Sequence, residues 1–249
     1  MLDTPFFALF VLFISPFVGS FIGVLVDRLP RGQNVTTEPS KCRQCSARLS
    51  VRDMVPLLSF LFLRGKCRHC KADIPQLLPI IEIAAIVVII LWVWLAKSNV
   101  ELLIGAMFLW CLVALFFCDI TRFILPNALT VSLAVIALIF AWQNPSIQVQ
   151  YALFSGIIGF LTFYIIRITY KAIRKREGLG MGDVKLMAGI GAGVGAEAIP
   201  MVIILAAITG IIWISVRFWL AQRAVTQQTI LPFGAFLSLG CAIIWLFLP

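Results

Sequence analysis

The stretch GMGDVKLMAGIGAGVG, residues 180–195, places one carboxylate between a basic loop and an apolar run rich in glycine and alanine. The run alone is typical of close packing between membrane helices, because small residues let two helix backbones approach each other. Asp183 needs another explanation, since a charged side chain is costly to keep at the mouth of a membrane helix. An aspartate can also cap its own helix, so a second acid at the same depth is needed to indicate chemistry.

Composition places the chain in a membrane. Hydrophobic side chains make up 61% of the 249 residues, and the mean hydropathy is +1.04, which excludes an ordinary soluble domain. A membrane-spanning helix needs about 20 apolar residues. The apolar stretches are 6–26, 77–96, 102–118, 124–142, 151–166, 184–195, 198–216 and 230–248. We predict an all-α, polytopic transmembrane helical bundle of about eight spans, in which the short sixth stretch is a span, a half-helix or a re-entrant turn.

The positive charges are unevenly distributed between the predicted loops. If the stretches alternate across the membrane, 19 of the 20 Lys and Arg residues fall on one side, 10 of them in the loop 27–76. Lys and Arg accumulate on the cytosolic side of membrane proteins. We therefore predict both termini on the outer side of the membrane, a first transmembrane helix (1–26), a cytosolic loop (27–76) and a transmembrane core (77–249). The net charge of +9 then reflects topology and contact with membrane lipid, and nucleic acid is not a predicted partner.

Two CxxC pairs lie in the loop 27–76, separated by 21 residues. They are Cys42 with Cys45 and Cys67 with Cys70. Each pair can supply two thiolates, so that together they form a tetrahedral zinc site. Disulfides are the alternative, but they seldom persist in a reducing cytosol. The spacing therefore predicts a cytosolic zinc-binding loop.

His69 is the only histidine of the chain, and it lies inside the second CxxC pair. This excludes an HExxH zinc protease and a site with three histidine ligands. It also excludes a Ser-His pair, unless the histidine between the zinc ligands were itself the base. Hydrolysis by this chain would have to use other groups.

The second acid is Asp119, which ends the third apolar stretch seven residues before Pro126. The chain crosses the membrane and returns between Asp119 and Asp183, so we expect both carboxylates at the inner face, each at the start of a helix. Two carboxylates within about 3 Å share a proton, and such a pair activates water against an amide without histidine or metal. A helix N-terminus favours Asp183 as the base and Asp119 as the first proton donor, although the roles within a coupled pair are interchangeable.

Glu82 lies about one turn inside the second apolar stretch, in LLPIIEIAAIV. Its carboxylate can reach the cytosolic surface, pair with a basic residue of the loop, or take part in catalysis. The sequence leaves these alternatives open.

Together these features resemble the type IV prepilin leader peptidase/N-methyltransferase family, membrane aspartic proteases with a Gly-x-Gly-Asp signature. Gly180, Gly182 and Asp183 match the signature, and Lys185 matches its extension. The resemblance covers nearly the whole chain, since the two CxxC pairs match as well, together with GSFIGVLVDRLPR (19–31), LLPIIE (77–82) and LPFGAFL (231–237). One departure is that Thr121 and Arg122 stand where many relatives carry another acid or a histidine.

The resemblance implies a bacterial inner-membrane aspartic endopeptidase, with Asp119 and Asp183 as the catalytic pair and zinc on the four loop cysteines. It implies removal of the short basic leader of a type IV prepilin or pseudopilin, after a glycine, at the cytosolic membrane face. It also implies N-methylation of the new N-terminal residue from S-adenosylmethionine. Glu82 is a candidate to orient or deprotonate the new amine. The methyl-donor site rests on the resemblance alone, because no glycine-rich nucleotide loop is recognisable.

Two other functions are compatible with parts of the pattern. A proton-coupled membrane transporter would use the two acids as a relay and the zinc loop as a cytosolic gate, but no acid at the membrane midplane continues the path. A zinc-stabilised scaffold would carry out no chemistry, and only the paired acids argue against it.

Overall fold

Helices account for most of the chain in the computed structural model, which describes residues 5–36, 39–144, 147–221 and 231–247. These residues form nine α-helices and no strand, with three short 3-10 turns between them. The helices are α1 (Pro5–Arg28), α2 (Leu58–Phe62), α3 (Leu77–Val93), α4 (Asn99–Arg122), α5 (Asn127–Gln143), α6 (Val149–Arg174), α7 (Met181–Val194), α8 (Ile199–Ala221) and α9 (Phe233–Phe247). The predicted all-α architecture is confirmed.

The eight longer helices follow the eight predicted apolar stretches. Among the described residues, α1, α4, α6 and α8 are long and apolar enough to cross a membrane. The helices α3 and α5 have 17 residues each and α9 has 15, against about 20 needed to span the hydrocarbon. The last predicted stretch, 230–248, extends outside the described residues.

The short sixth stretch forms α7, with 14 residues. It contacts α5, α6, α8 and α9, and Val184, Leu186 and Met187 on it are fully buried. Its small residues allow backbone contact with α6. A methyl group added at Gly159 of α6 would overlap the Met187 carbonyl, and one added at Gly191 would overlap the Ser155 carbonyl. The glycine run therefore packs helices closely, as its composition predicts.

The chain divides into two compact units, Met1–Ala114 and Leu115–Pro249, called here the N-terminal and C-terminal units. In the N-terminal unit α1 packs on α3 through two glycines. A methyl group at Gly19 would lie 2.7 Å from the Cα of Glu82, and one at Gly23 would lie 2.9 Å from Leu78 Cδ2. The division at residues 26 and 76 rests on membrane topology and stays a prediction.

Candidate active site

Asp183 lies in the first turn of α7, as the sequence predicts. Gly180 is the residue that caps this helix, and its backbone N–H faces the Asp183 carboxylate. A side chain three residues into a helix often accepts the N–H of the capping residue, which would otherwise have no partner. The carboxylate of Asp183 is therefore held at the N-terminal end of α7.

Asp119 lies in the last turn of α4, where it is 6% exposed. The expectation that it begins a helix is wrong, because α4 continues to Arg122 and stops at Phe123. Phe123 has a φ of 55°, and its N–H donates to the Asp119 carbonyl at 2.8 Å. A proline disfavours helical backbone in the residue before it, so α5 starts only after Pro126. Asp119 therefore ends one helix instead of starting the next.

The two carboxylates meet at the first turn of α9. The N–H of Ala235 donates to Asp119 Oδ2 at 2.8 Å. A methyl group added at Gly234 would lie 3.2 Å from the same oxygen and 2.9 Å from Asp183 Oδ1. The two carboxylate oxygens thus lie no further apart than the sum of these two distances. The C-terminal unit therefore brings Asp119 and Asp183 together, at the end of α4 and the start of α7.

Two other residues of the signature position α7. A methyl group at Gly182 would lie 3.0 Å from Leu125 Cβ, so this glycine lets the α4–α5 connection approach α7. The ammonium of Lys185 donates to Asn127 Oδ1 at 2.8 Å, which ties α7 to the start of α5. The hydroxyl of Thr121 donates to the Phe117 carbonyl at 2.6 Å, so it is turned toward its own helix.

The first turn of α9 is the part of the site that the sequence reasoning missed. Its segment LPFGAFL matches the family, but the match alone assigns no role to Gly234 or Ala235. The contact between Ala235 and Asp119 joins positions 116 residues apart, which no local pattern predicts.

The four loop cysteines converge in the N-terminal unit. Their sulfur atoms all lie within 4.8 Å of one another, and Cys42 Sγ is 3.8 Å from Cys70 Sγ. A zinc ion with bonds of about 2.3 Å to four thiolates holds the sulfurs roughly 3.8 Å apart. None of the seven cysteines, all of which lie in the described part of the chain, forms a disulfide. The residues present therefore fit a four-thiolate zinc ion.

The two CxxC pairs form two turns of the same design. In each, the N–H of the first cysteine donates to the carbonyl five residues later, at 2.9 Å in the first turn and 2.8 Å in the second. The residue after the second cysteine has a positive φ, 58° at Ser46 and 60° at Lys71. The backbone N–H groups of Cys45 and Gln44 lower the pKa of the Cys42 thiol to about 6, which favours the thiolate form that binds metal.

Glu82 is 6% exposed on α3. Its Oε2 accepts a hydrogen bond from the backbone N–H of Leu57 at 2.8 Å. Leu57 has a φ of 57°, an uncommon value for a residue other than glycine. Of the three possibilities that the sequence left open for Glu82, the structure favours neither exposure at the surface nor a partner among the described basic side chains. The carboxylate instead holds the start of α2.

A cavity of about 580 Å³ lies in the N-terminal unit, beside both Glu82 and the cysteines. Its walls come from α1, α3 and the loop 27–76. Three phenylalanines, four carboxylates and four basic side chains are among the lining residues. The phenylalanines and carboxylates are Phe17, Phe21, Phe60, Asp27, Asp53, Asp73 and Glu82. The volume falls within the range of about 300–1,000 Å³ that is usual for small-molecule sites.

Known proteins match both parts of the chain. Residues 13–96 match the bacterial peptidase A24 N-terminal domain, and residues 106–215 match the type IV leader peptidase family. The prepilin leader peptidase/N-methyltransferase of Vibrio cholerae is 32% identical over 82% of this chain and 84% of its own length. The type 4 prepilin-like proteins leader peptide-processing enzyme of Escherichia coli is 32% identical over 90% and 87%.

The prepilin leader peptidase/N-methyltransferase of Aeromonas salmonicida is 28% identical over 96% of this chain and 91% of its own length. No solved structure matches the chain. Two of these relatives are more than 30% identical to this chain over most of their own length and most of this chain. Family models match both its N-terminal and its C-terminal part. This protein therefore belongs to the type IV leader peptidase family.

Proposed function

We propose that this protein is an inner-membrane aspartic endopeptidase that removes the short basic leader of type IV prepilins or pseudopilins after a glycine. The observation that carries the proposal is the meeting of Asp119 and Asp183 at the first turn of α9. The printed names of the relatives supply the class of substrate. A transporter needs a path across the bilayer, whereas this pair is a single site at two helix ends.

The mechanism follows from the shared proton of the pair. Asp183 takes a proton from a water molecule, whose oxygen attacks the carbonyl carbon of the scissile amide. Asp119 gives its proton to the carbonyl oxygen. The tetrahedral intermediate collapses when Asp183 gives the proton of the water to the leaving nitrogen and Asp119 takes back the proton of the former carbonyl oxygen. The N–H of Ala235 donates to Oδ2 of Asp119, so a proton held by Asp119 is on its other oxygen.

The depth of the pair suits such a precursor. Both aspartates lie at ends of apolar helices, and a prepilin has a basic leader in the cytosol followed by an apolar helix in the bilayer. Its scissile bond therefore arrives at the membrane face. With the basic loop 27–76 on the cytosolic side, the termini are periplasmic and the aspartates face the cytosol.

The same protein methylates the new N-terminal amine, and the cavity of the N-terminal unit is the site for the methyl donor. S-adenosylmethionine presents an aromatic base and a positively charged sulfonium, which match a lining of phenylalanines and carboxylates. Asp27 is paired with Arg43 at 2.9 Å and Asp53 with Arg68 at 2.8 Å. Glu82 faces the cavity with hydrogen bonds from uncharged donors. Its charge is thus available to attract the donor or the amine.

Zinc has a structural role in this proposal. Four thiolates complete a tetrahedron and leave no position for water or substrate. Cys42 and Cys67 both line the cavity, so a zinc ion that joins the two CxxC turns also fixes the cavity wall.

Mass spectrometry of a type IV prepilin co-expressed with this protein tests both activities together. The expected product has lost its leader and gained one methyl group on the new N-terminus. The Asp183→Asn variant is the matched control and leaves the precursor at full length. A precursor that stays intact with the unmodified protein, at normal levels of inserted enzyme, would overturn the proposal.

A further inference from the structure

We propose that Gly234 is a positioning residue of the aspartate pair. Because glycine has no side chain, the first turn of α9 can lie against both carboxylates while the N–H of Ala235 donates to Asp119. The proposal rests on the peptidase function above. It gives a role to Gly234 in the segment LPFGAFL, of which the mechanism uses only the N–H of Ala235.

The first turn of a helix carries N–H groups that have no partner within the helix. α9 begins at Phe233, so Gly234 and Ala235 belong to this turn. The N–H of Ala235 donates to Asp119 at 2.8 Å, and that of Gly234 also faces the Asp119 carboxylate. The turn thereby fixes the orientation of a carboxylate that comes from another helix.

Space explains why residue 234 is a glycine. A methyl group there would lie 2.9 Å from Asp183 Oδ1 and 3.2 Å from Asp119 Oδ2. The first distance is shorter than a carbon and an oxygen tolerate, so one carboxylate would have to move. The backbone of Gly234 is helical, a conformation open to every L-residue. The glycine is therefore needed for the room it leaves and not for its φ.

Leu125 provides the competing explanation. The same methyl group would lie 2.6 Å from Leu125 Cδ1, and in this alternative the glycine serves only the packing of this leucine. The end of a leucine side chain is flexible and can turn away from an added methyl group. A carboxylate that moves away from residue 234 would lose its position in the aspartate pair. Truncating the leucine separates the two explanations, since it removes the contact with Leu125 and leaves the contact with the carboxylates.

The test uses the purified full-length protein in lipid nanodiscs and a type IV prepilin as substrate. The variants are Gly234→Ala, Leu125→Ala, and the two together. Gly210→Ala is the matched control, because the atoms nearest to a methyl group there belong to Phe236, at 3.3 Å, and Leu231, at 3.5 Å, and not to the carboxylates. The readouts are kcat and KM of leader removal and the midpoint of thermal unfolding.

We expect Gly234→Ala to lower kcat by roughly 100-fold, the scale of a misplacement by about 1 Å, with little change in KM. Leu125→Ala should not restore the activity of Gly234→Ala, and Gly210→Ala should stay within about 3-fold of the unmodified enzyme. Restoration by Leu125→Ala, or a normal kcat for Gly234→Ala, would overturn the proposal.

Two further variants keep the test decisive. If Gly234→Ala unfolds at a much lower temperature than Gly210→Ala, Ala235→Pro replaces it. Proline is tolerated in the first helical turn and removes the N–H donor, and its ring also disfavours helical backbone at the preceding Gly234. We expect a loss of at least about 10-fold in kcat, the scale of one hydrogen bond. A normal kcat for Ala235→Pro would refute the positioning role. An active Asp183→Asn would instead refute the peptidase function on which it rests.

Discussion

Two substitutions at Asp119 separate its chemical role from its structural one. The side chain is 6% exposed and accepts the Ala235 N–H. Asp119→Asn keeps an oxygen for this N–H but cannot hold or release the shared proton. Asp119→Ala removes the oxygen as well and leaves a buried donor without a partner.

The structure gives a magnitude for each effect. A buried donor that loses its acceptor costs about 1–3 kcal/mol, so Asp119→Ala should be less stable than Asp119→Asn by that amount. Loss of general acid or base catalysis costs roughly 100- to 10,000-fold in rate, and both variants should lose leader removal to this extent. Stability should therefore differ between the two variants while activity does not.

The assays are leader removal under saturating substrate and denaturant unfolding of the purified variants in matched micelles. The unmodified protein and Gly210→Ala provide the reference values. An Asp119→Asn protein with near-normal kcat would refute the shared-proton mechanism. Equal stability of the two Asp119 variants would refute the hydrogen bond to Ala235 as a support of the fold.

Three other predictions concern the remaining sites. Elemental analysis should find one zinc ion per chain, and Cys67→Ser should lower this content; a stable protein without metal would contradict the zinc site. Glu82→Gln keeps an acceptor for the Leu57 N–H but loses its charge, so methylation should fall at least 10-fold while cleavage persists; normal methylation would exclude Glu82. Lys185→Met should lower kcat a few-fold through loss of the bond to α5, about 1 kcal/mol; an unchanged rate would mean that this bond is dispensable.

The sequence predicts what depends on composition and short spacing. Apolar stretches identify the helices, because a helix that crosses the hydrocarbon needs about 20 apolar residues and few other structures need so long an apolar stretch. The spacing of the CxxC pairs predicts the cysteine cluster, since each pair forms its own local turn. Asp183 is predictable for the same reason, because Gly180 and the start of α7 are its immediate neighbours.

Contacts between distant segments were beyond sequence reasoning. Whether Asp119 ends α4 or begins α5 depends on where the chain turns before Pro126, and the two choices differ by only a few residues. The closing of α9 on the aspartates and the bond from Leu57 to Glu82 join positions far apart in the chain. Such contacts are set by the packing of whole helices and leave no periodic signal.

The central claim is that Asp119 and Asp183 act as one unit, and a double-mutant comparison of kcat tests it most directly. Leader removal is measured for Asp119→Asn, for Asp183→Asn and for the variant with both changes. Groups that act together lose their function when either is removed, so we predict that each single variant is as slow as the double variant. If the two aspartates act independently, their rate losses multiply, and the kcat of the double variant falls by the product of the two single losses. That result would contradict the account.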